Sequence, residues 1–161
     1  MYITKELGII LYNKGCREGW KLISGDTWCF MSNEQVLDWI FKDVDNTCTC
    51  PSRFLKYWYT TLVEQDFTLI GECVSRIEGW FENNGIIDIV ITHESTGSDE
   101  WVYLYEICYL PKEHLNKKRR IPHFKYIKSH DNMYDIDGYE TKKQTKHEAI
   151  LECFKILNKH G

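Results

Sequence analysis

With 161 residues, 43% of them apolar and 27% charged, the chain has ordinary proportions for a folded soluble protein and is long enough for one domain with a buried core. A net charge of −4 and a pI of about 5.9 argue against a dedicated nucleic-acid binder, while leaving room for a local basic patch. No run approaches the roughly 18 apolar residues that a membrane span needs, and the N-terminus MYITKELGIILYNKG lacks the basic segment and long apolar run of a signal peptide. A cytoplasmic protein with no membrane contact is therefore expected, its seven cysteines held as reduced thiols. Six Trp and ten Tyr are rings for core packing or for stacking on a ligand or partner.

In chain order, ITKELGIILYNKG predicts a first helix, with Leu7, Ile10 and Leu11 at helical spacing and Gly15 as its stop. CREGWKLISGDTWCF, rich in Gly and aromatics, predicts a turn, one short strand and another turn. MSNEQVLDWIFKDVD predicts a second helix. Ser32 is its N-cap, Gln35 completes a capping box, and Met31 and Val36 form a hydrophobic staple. Its apolar stripe is Val36, Leu37, Ile40 and Phe41. DVDNTCTCPSR breaks the pattern as a loop, and RFLKYWYTTLVEQD admits either a short helix or a strand.

DFTLIGECVSRIEGWFENNG carries the best-marked helix. Ile70, Cys73, Val74, Ile77, Trp80 and Phe81 share one face, and Asn83, Asn84 and Gly85 end it. IIDIVITH follows as a strand with Ile87, Ile89 and Ile91 facing one way. HESTGSDE is a polar loop. WVYLYEICYL returns antiparallel, with Trp101, Tyr103, Tyr105, Ile107 and Tyr109 on one face. PKEHLNKKRR is a charged connection, and IPHFKYIKS is a third strand whose Pro122 marks a start or an edge. TKKQTKHEAILECFKILNKHG closes as a helix, capped by Thr141 with Gln144 or by Thr145 with Glu148. Its apolar face is Ala149, Ile150, Cys153, Phe154, Ile156 and Leu157.

These elements predict an α+β fold, with an antiparallel sheet of three or more strands packed against helices. Residues 67–161 form an α-β-β-β-α core and residues 1–66 an N-terminal helical and irregular part of the same domain. The helices either share one face of the sheet or take one face each.

ITKELGIILYNKGCREG, FTLIGECVSRIEGWFENNGIIDIVI and GYETKKQTKHEAILECFKIL together resemble small uncharacterised proteins of Bacteroidetes phages and prophages. Those proteins combine a short helix ending in KG, a Trp-bearing helix, a strand pair and a final helix introduced by YE. Trp80, Tyr139 and Glu140 are the matching marks, and residues 20–66 depart from the shorter pattern. The resemblance implies a viral or mobile-element origin, in host cytoplasm, and specifies no catalytic residue.

Among chemistry-bearing residues, Cys48 and Cys50 in NTCTCPSRF stand out. Structural zinc needs four ligands, usually as two close pairs. The other cysteines, Cys16, Cys29, Cys73, Cys108 and Cys153, supply no second pair. No helix start is legible beside Cys48 and Cys50 to lower a thiol pKa. They read as loop thiols, and Cys73, Cys108 and Cys153 as small apolar core residues. No metal and no cofactor is expected. His93 at a strand end, with His123 in the third strand, is the pairing that a small phosphoesterase would use as acid and base, although His123 has no hydroxyl residue two positions on. Lys112, Lys117, Lys118, Arg119, Arg120, Lys125 and Lys128 crowd one stretch, with Phe124 and Tyr126 beside them. Lys117, Lys118, Arg119, Arg120, Phe124 and Tyr126 are the candidate binding residues, for a phosphate backbone and stacked base or for an acidic protein surface. A solvated loop balancing an acidic chain gives the same residues. Asp131, Asp135 and Asp137 lack the spacing of a calcium loop. The expected role is a non-enzymatic accessory protein that binds a host or phage protein. Nucleic-acid or anionic-ligand binding through 112–128 is the first alternative and the His93/His123 enzyme the second.

Overall fold

A computed structural model describes residues 5–13, 21–24, 27–29, 33–46, 48–65, 70–95, 100–111, 114, 124–129 and 138–160. The fold is α+β, and its chain divides into two units, Met1–Arg76 and Ile77–Gly161.

In the first unit, α1 (Lys5–Asn13) buries Leu7 and Leu11 on one side, as their spacing predicts. Gly15 lies outside the described residues. A hairpin follows, β1 (Lys21–Ser24) antiparallel to β2 (Thr27–Cys29), with Lys21 opposite Cys29 and Leu22 opposite Trp28. One strand was expected here and two are present. Three residues are too few to show alternation, so β2 is specified by its pairing rather than its pattern. Helix α2 (Asn33–Asn46) buries Val36, Leu37, Ile40 and Val44. Ser32 and Met31 lie outside the described residues. Asp38 on α2 accepts a 2.6 Å hydrogen bond from Arg76, whose guanidinium also lies 5.7 Å from the centre of the Phe41 ring.

The ambiguous stretch after Cys50 is a helix, α3 (Pro51–Glu64). Aromatic and Thr residues favour strands locally, yet Ser52, Leu55, Trp58, Tyr59 and Leu62 fall on one helical face and are all buried. The Thr60 and Thr61 hydroxyls donate back to the carbonyls of Lys56 and Tyr57, at 2.9 and 2.8 Å, so both are satisfied within the helix. Trp58, 1% exposed, anchors this unit. Trp39 of α2 meets it edge-on with centroids 5.4 Å apart, and Phe54 and Tyr57 flank it.

Helix α4 (Ile70–Asn83) crosses from the first unit to the second, and Asn84 and Gly85 close it. The Asn84 side chain donates to the Trp80 carbonyl at 2.8 Å, and Gly85 adopts φ 102°. The second unit then forms a three-stranded antiparallel sheet in the order β3 (Ile86–Ser95), β4 (Trp101–Tyr109), β5 (Lys125–Lys128). Pro122 lies outside the described residues.

The β3–β4 register corrects one expectation. Ile86 pairs with Tyr109 but Asp88 pairs with Cys108, so Ile87 is an extra residue in a bulge. Ile86 therefore takes the buried position, at 2% exposure, and Ile87 is turned out at 39%. Beyond the bulge, Ile89/Ile107, Ile91/Tyr105, His93/Tyr103 and Ser95/Trp101 share one face of the sheet.

Helix α5 (Lys142–His160) packs on β3 and β4. Thr141 is its N-cap, accepting from the Gln144 N–H at 3.1 Å. Thr145, the other capping candidate, is instead buried inside the first turns, its hydroxyl donating to the Thr141 carbonyl at 2.8 Å. Phe81 of α4 and Phe154 of α5 meet edge-on, centroids 5.0 Å apart. With Ile77, Ile86, Ile107, Ile150 and Leu157 they form the core of this unit. β4 is central. Where β5 ends, Ser129 and then Tyr139 take over its hydrogen bonds: Ser129 bonds both backbone groups of Tyr105, and Tyr139 bonds both of Tyr103.

Candidate binding site

Helix α5 covers only part of the sheet face it packs on. Its buried residues begin at Thr145 and Ala149, and the strands are buried around Ile86, Ile107 and Tyr109. Towards the other end the same face opens. An open cleft of about 590 Å³ lies there, lined by Ile89 and Ile91 of β3 and by Lys142, Lys143 and Lys146 from the first turns of α5. Lys146 is paired with Glu78. Lys142 and Lys143 are exposed and form no ion pair among the described residues.

Further along the face stand His93, Trp101 and Tyr103. The rings of His93 and Trp101 are 5.3 Å apart, those of His93 and Tyr103 6.2 Å. Trp101 is 61% exposed, the most exposed large apolar side chain described. Tyr139 stacks nearly parallel on Tyr105, 17° between planes, and holds the chain that leads into α5 against β4. The arrangement is thus a cationic cleft beside a ridge of rings. It suits binding of a ligand with negative charge and a planar or apolar part.

Burial governs the ionisable groups whose pKa is displaced most. Burial, with Glu152, Tyr139 and Glu148 adding to it, pushes the Tyr105 hydroxyl up to about 12, so it stays protonated. Burial also pushes up the Cys153 thiol on α5, and raises Cys73 on α4 to about 12. Both are inert core thiols, as expected. Cys108 is not: it is half-buried on the opposite face of the sheet, where its thiol and the Tyr126 hydroxyl share a hydrogen bond across β4 and β5. A strand position facing away from α5 accounts for the difference.

Of the sequence candidates, Lys117, Lys118, Arg119 and Arg120 lie outside the described residues. Phe124 and Tyr126 are exposed, at 37% and 59%, Tyr126 within β5 and Phe124 immediately before it. Lys128 is paired with Glu106 across the strands. His93 sits exposed on β3 among rings, and His123, like Asp131, Asp135 and Asp137, lies outside the described residues. Cys48 and Cys50 are half-buried between α2 and α3. One reading of them changes: Cys50 is the N-cap residue of α3 and Pro51 occupies the first turn, so a helix start does stand beside the pair. It was hidden because Phe54, Tyr57, Thr60 and Thr61, which favour strands, lie among the helically spaced Leu55, Trp58, Tyr59 and Leu62. Among the described residues no group of three or more His, Cys, Asp or Glu side chains converges as a metal site. No helix among them is long and apolar enough to cross a membrane.

Trp101 and Tyr103 are legible in sequence only as strand positions, and the other site residues missed are Lys142, Lys143 and Lys146. Their signal is TKKQTK: three lysines in the opening turns of a helix, where the macrodipole favours acids, with no acid in the first turn. In comparison with known proteins, no family model matches the chain, and neither a curated protein nor a solved structure matches it.

Proposed function

We propose that this protein is a non-enzymatic binding protein that uses the uncovered end of its sheet, around Trp101 and the Lys142–Lys146 cleft, to hold a partner. The exposure of Trp101 carries this reading. A large ring left 61% open on a sheet face that is elsewhere covered by α5 is a contact waiting for a second surface. The resemblance to phage and prophage proteins supports an accessory role of this kind in a host cell. His93 is ringed by Trp101 and Tyr103, a setting for packing and stacking.

The test is site-specific photocrosslinking in producing cells, with a photoreactive side chain placed at Trp101 and, as control, at Thr92 on the opposite face. Adducts from position 101 and none from position 92 are expected. Equal yields from both, or none from either, would remove the basis of the proposal.

A further inference from the structure

Resting on that reading, we infer that the partner is a nucleotide chain. Its phosphate is held by Lys142 and Lys143 at the cleft and its base stacks on the Trp101–His93 ridge. Charge and shape both select this chemistry. The cleft wall is apolar below, at Ile89 and Ile91, and cationic above. Lys146 has its carboxylate in Glu78, whereas Lys142 and Lys143 stand exposed without one among the described residues. Two free ammonium groups in the opening turn of a helix sit against the dipole, an arrangement that costs stability until an anion arrives.

An anion alone would not need the neighbouring rings. His93 follows Ile91 by two residues on the same face, about 7 Å along the strand at the usual rise. Tyr139, bonded to Tyr103, stands three residues before Lys142, so the ridge and the lysines are tied to the same segment of β4. A ligand lying across this end meets positive charge first and flat rings next. Single-stranded nucleic acid carries those two features in alternation, and a free nucleotide carries one of each. A duplex hides its bases. The net charge of −4 confines the attraction to this patch.

The experiment uses the full chain and a fluorescently labelled oligothymidylate, followed by anisotropy across a salt series. Binding at low salt is expected, with a negative slope of log affinity against log salt. Replacing Lys142 and Lys143 together by Gln should reduce that slope by about 0.7, since they hold one phosphate and each single-strand phosphate contact contributes about 0.7. Trp101→Ala should weaken binding roughly 10-fold or more by removing one stacked base. Thr92→Ala should leave it unchanged. Competition by thymidine monophosphate separates the two sources: displacement only far above the oligonucleotide's nucleotide concentration supports the strand, and displacement at matching concentrations assigns a free nucleotide and contradicts the inference. Three further results would overturn the inference. They are no binding at low salt, equal affinity for duplex with Trp101→Ala silent, and binding lost only when Lys117, Lys118, Arg119 and Arg120 are replaced. Protein adducts alone from the crosslinker at position 101 would also overturn it, while leaving the binding reading intact. Since Trp101 and both lysines are exposed, unchanged circular dichroism of the variants verifies that the fold is kept.

Discussion

Gly85 is the pivot on which α4 turns into β3, and its replacement by Ala gives a sharp test of the fold. Its φ of 102° lies where L side chains rarely go. A Cβ there would meet the Leu110 carbonyl oxygen, part of the backbone that pairs with Gly85 through the 2.7 Å bond from the Leu110 N–H. The neighbour is main chain and cannot swing aside as a flexible side chain would. Backbone strain of about 1–2 kcal/mol, with the weakening of a hydrogen bond worth about 1 kcal/mol, puts the cost near 3 kcal/mol. At a typical urea m-value of about 2 kcal/mol/M the midpoint should fall by about 1.5 M. Unfolding of this unit can be read at Cys153, which is fully buried, by pulsed alkylation and mass spectrometry across a urea series. Gly79 supplies the opposite sign: it is helical and a Cβ there meets nothing within 4 Å, so Gly79→Ala should stabilise by about 0.5–1 kcal/mol. A Gly85→Ala protein within about 0.5 kcal/mol of the parent, well below the strain expected for a positive φ, would refute the argument.

Phe154→Ala empties the centre of the second core and should cost about 3–5 kcal/mol, and a double-mutant cycle with Phe81→Leu should show coupling from their edge-on contact. Thr141→Ala removes the α5 cap and should cost about 1 kcal/mol in thermal or urea melts, whereas Thr141→Ser should be close to neutral. Cys73 and Tyr105 both have folded-state pKa values above their ordinary 9.0 and 10.0, each near 12. The folded protein therefore holds these protons more tightly, so their contribution is complete below the ordinary values and is lost as pH rises towards 12. Melting temperature should accordingly fall above about pH 9, less so in Cys73→Ala and Tyr105→Phe, and a flat profile would contradict the burial assigned to both groups. With iodoacetamide on the native protein, the half-buried Cys48 and Cys50 should be labelled well before Cys73 and Cys153, as peptide mapping would show.

Much of this molecule was decided by local sequence. The stripes of α2, α4 and α5, the Asn84-Gly85 stop, a cap for α5 at either Thr141 or Thr145 and the alternation of β4 follow from period and capping chemistry, which act over a few residues. Together they suffice for the α+β class. What tertiary structure decided is wherever two local preferences tied. The aromatic run after Pro51 became α3 because a helix lets Leu55, Trp58, Tyr59 and Leu62 be buried together, and with it Cys50 became a helix cap. Strand β2 exists through its pairing with β1. The bulge at Ile87 chose which isoleucine enters the core, a choice that the adjacent Ile86 and Ile87 leave open in sequence. The candidate site was least legible of all. Lys142 lies far along the chain from His93 and Trp101, and all three look, singly, like surface residues. Only the register of β3 on β4 and the starting point of α5 bring a ridge of rings beside lysines that have no ion-pair partner among the described residues, because burial and charge proximity are properties of packed surfaces rather than of sequence windows.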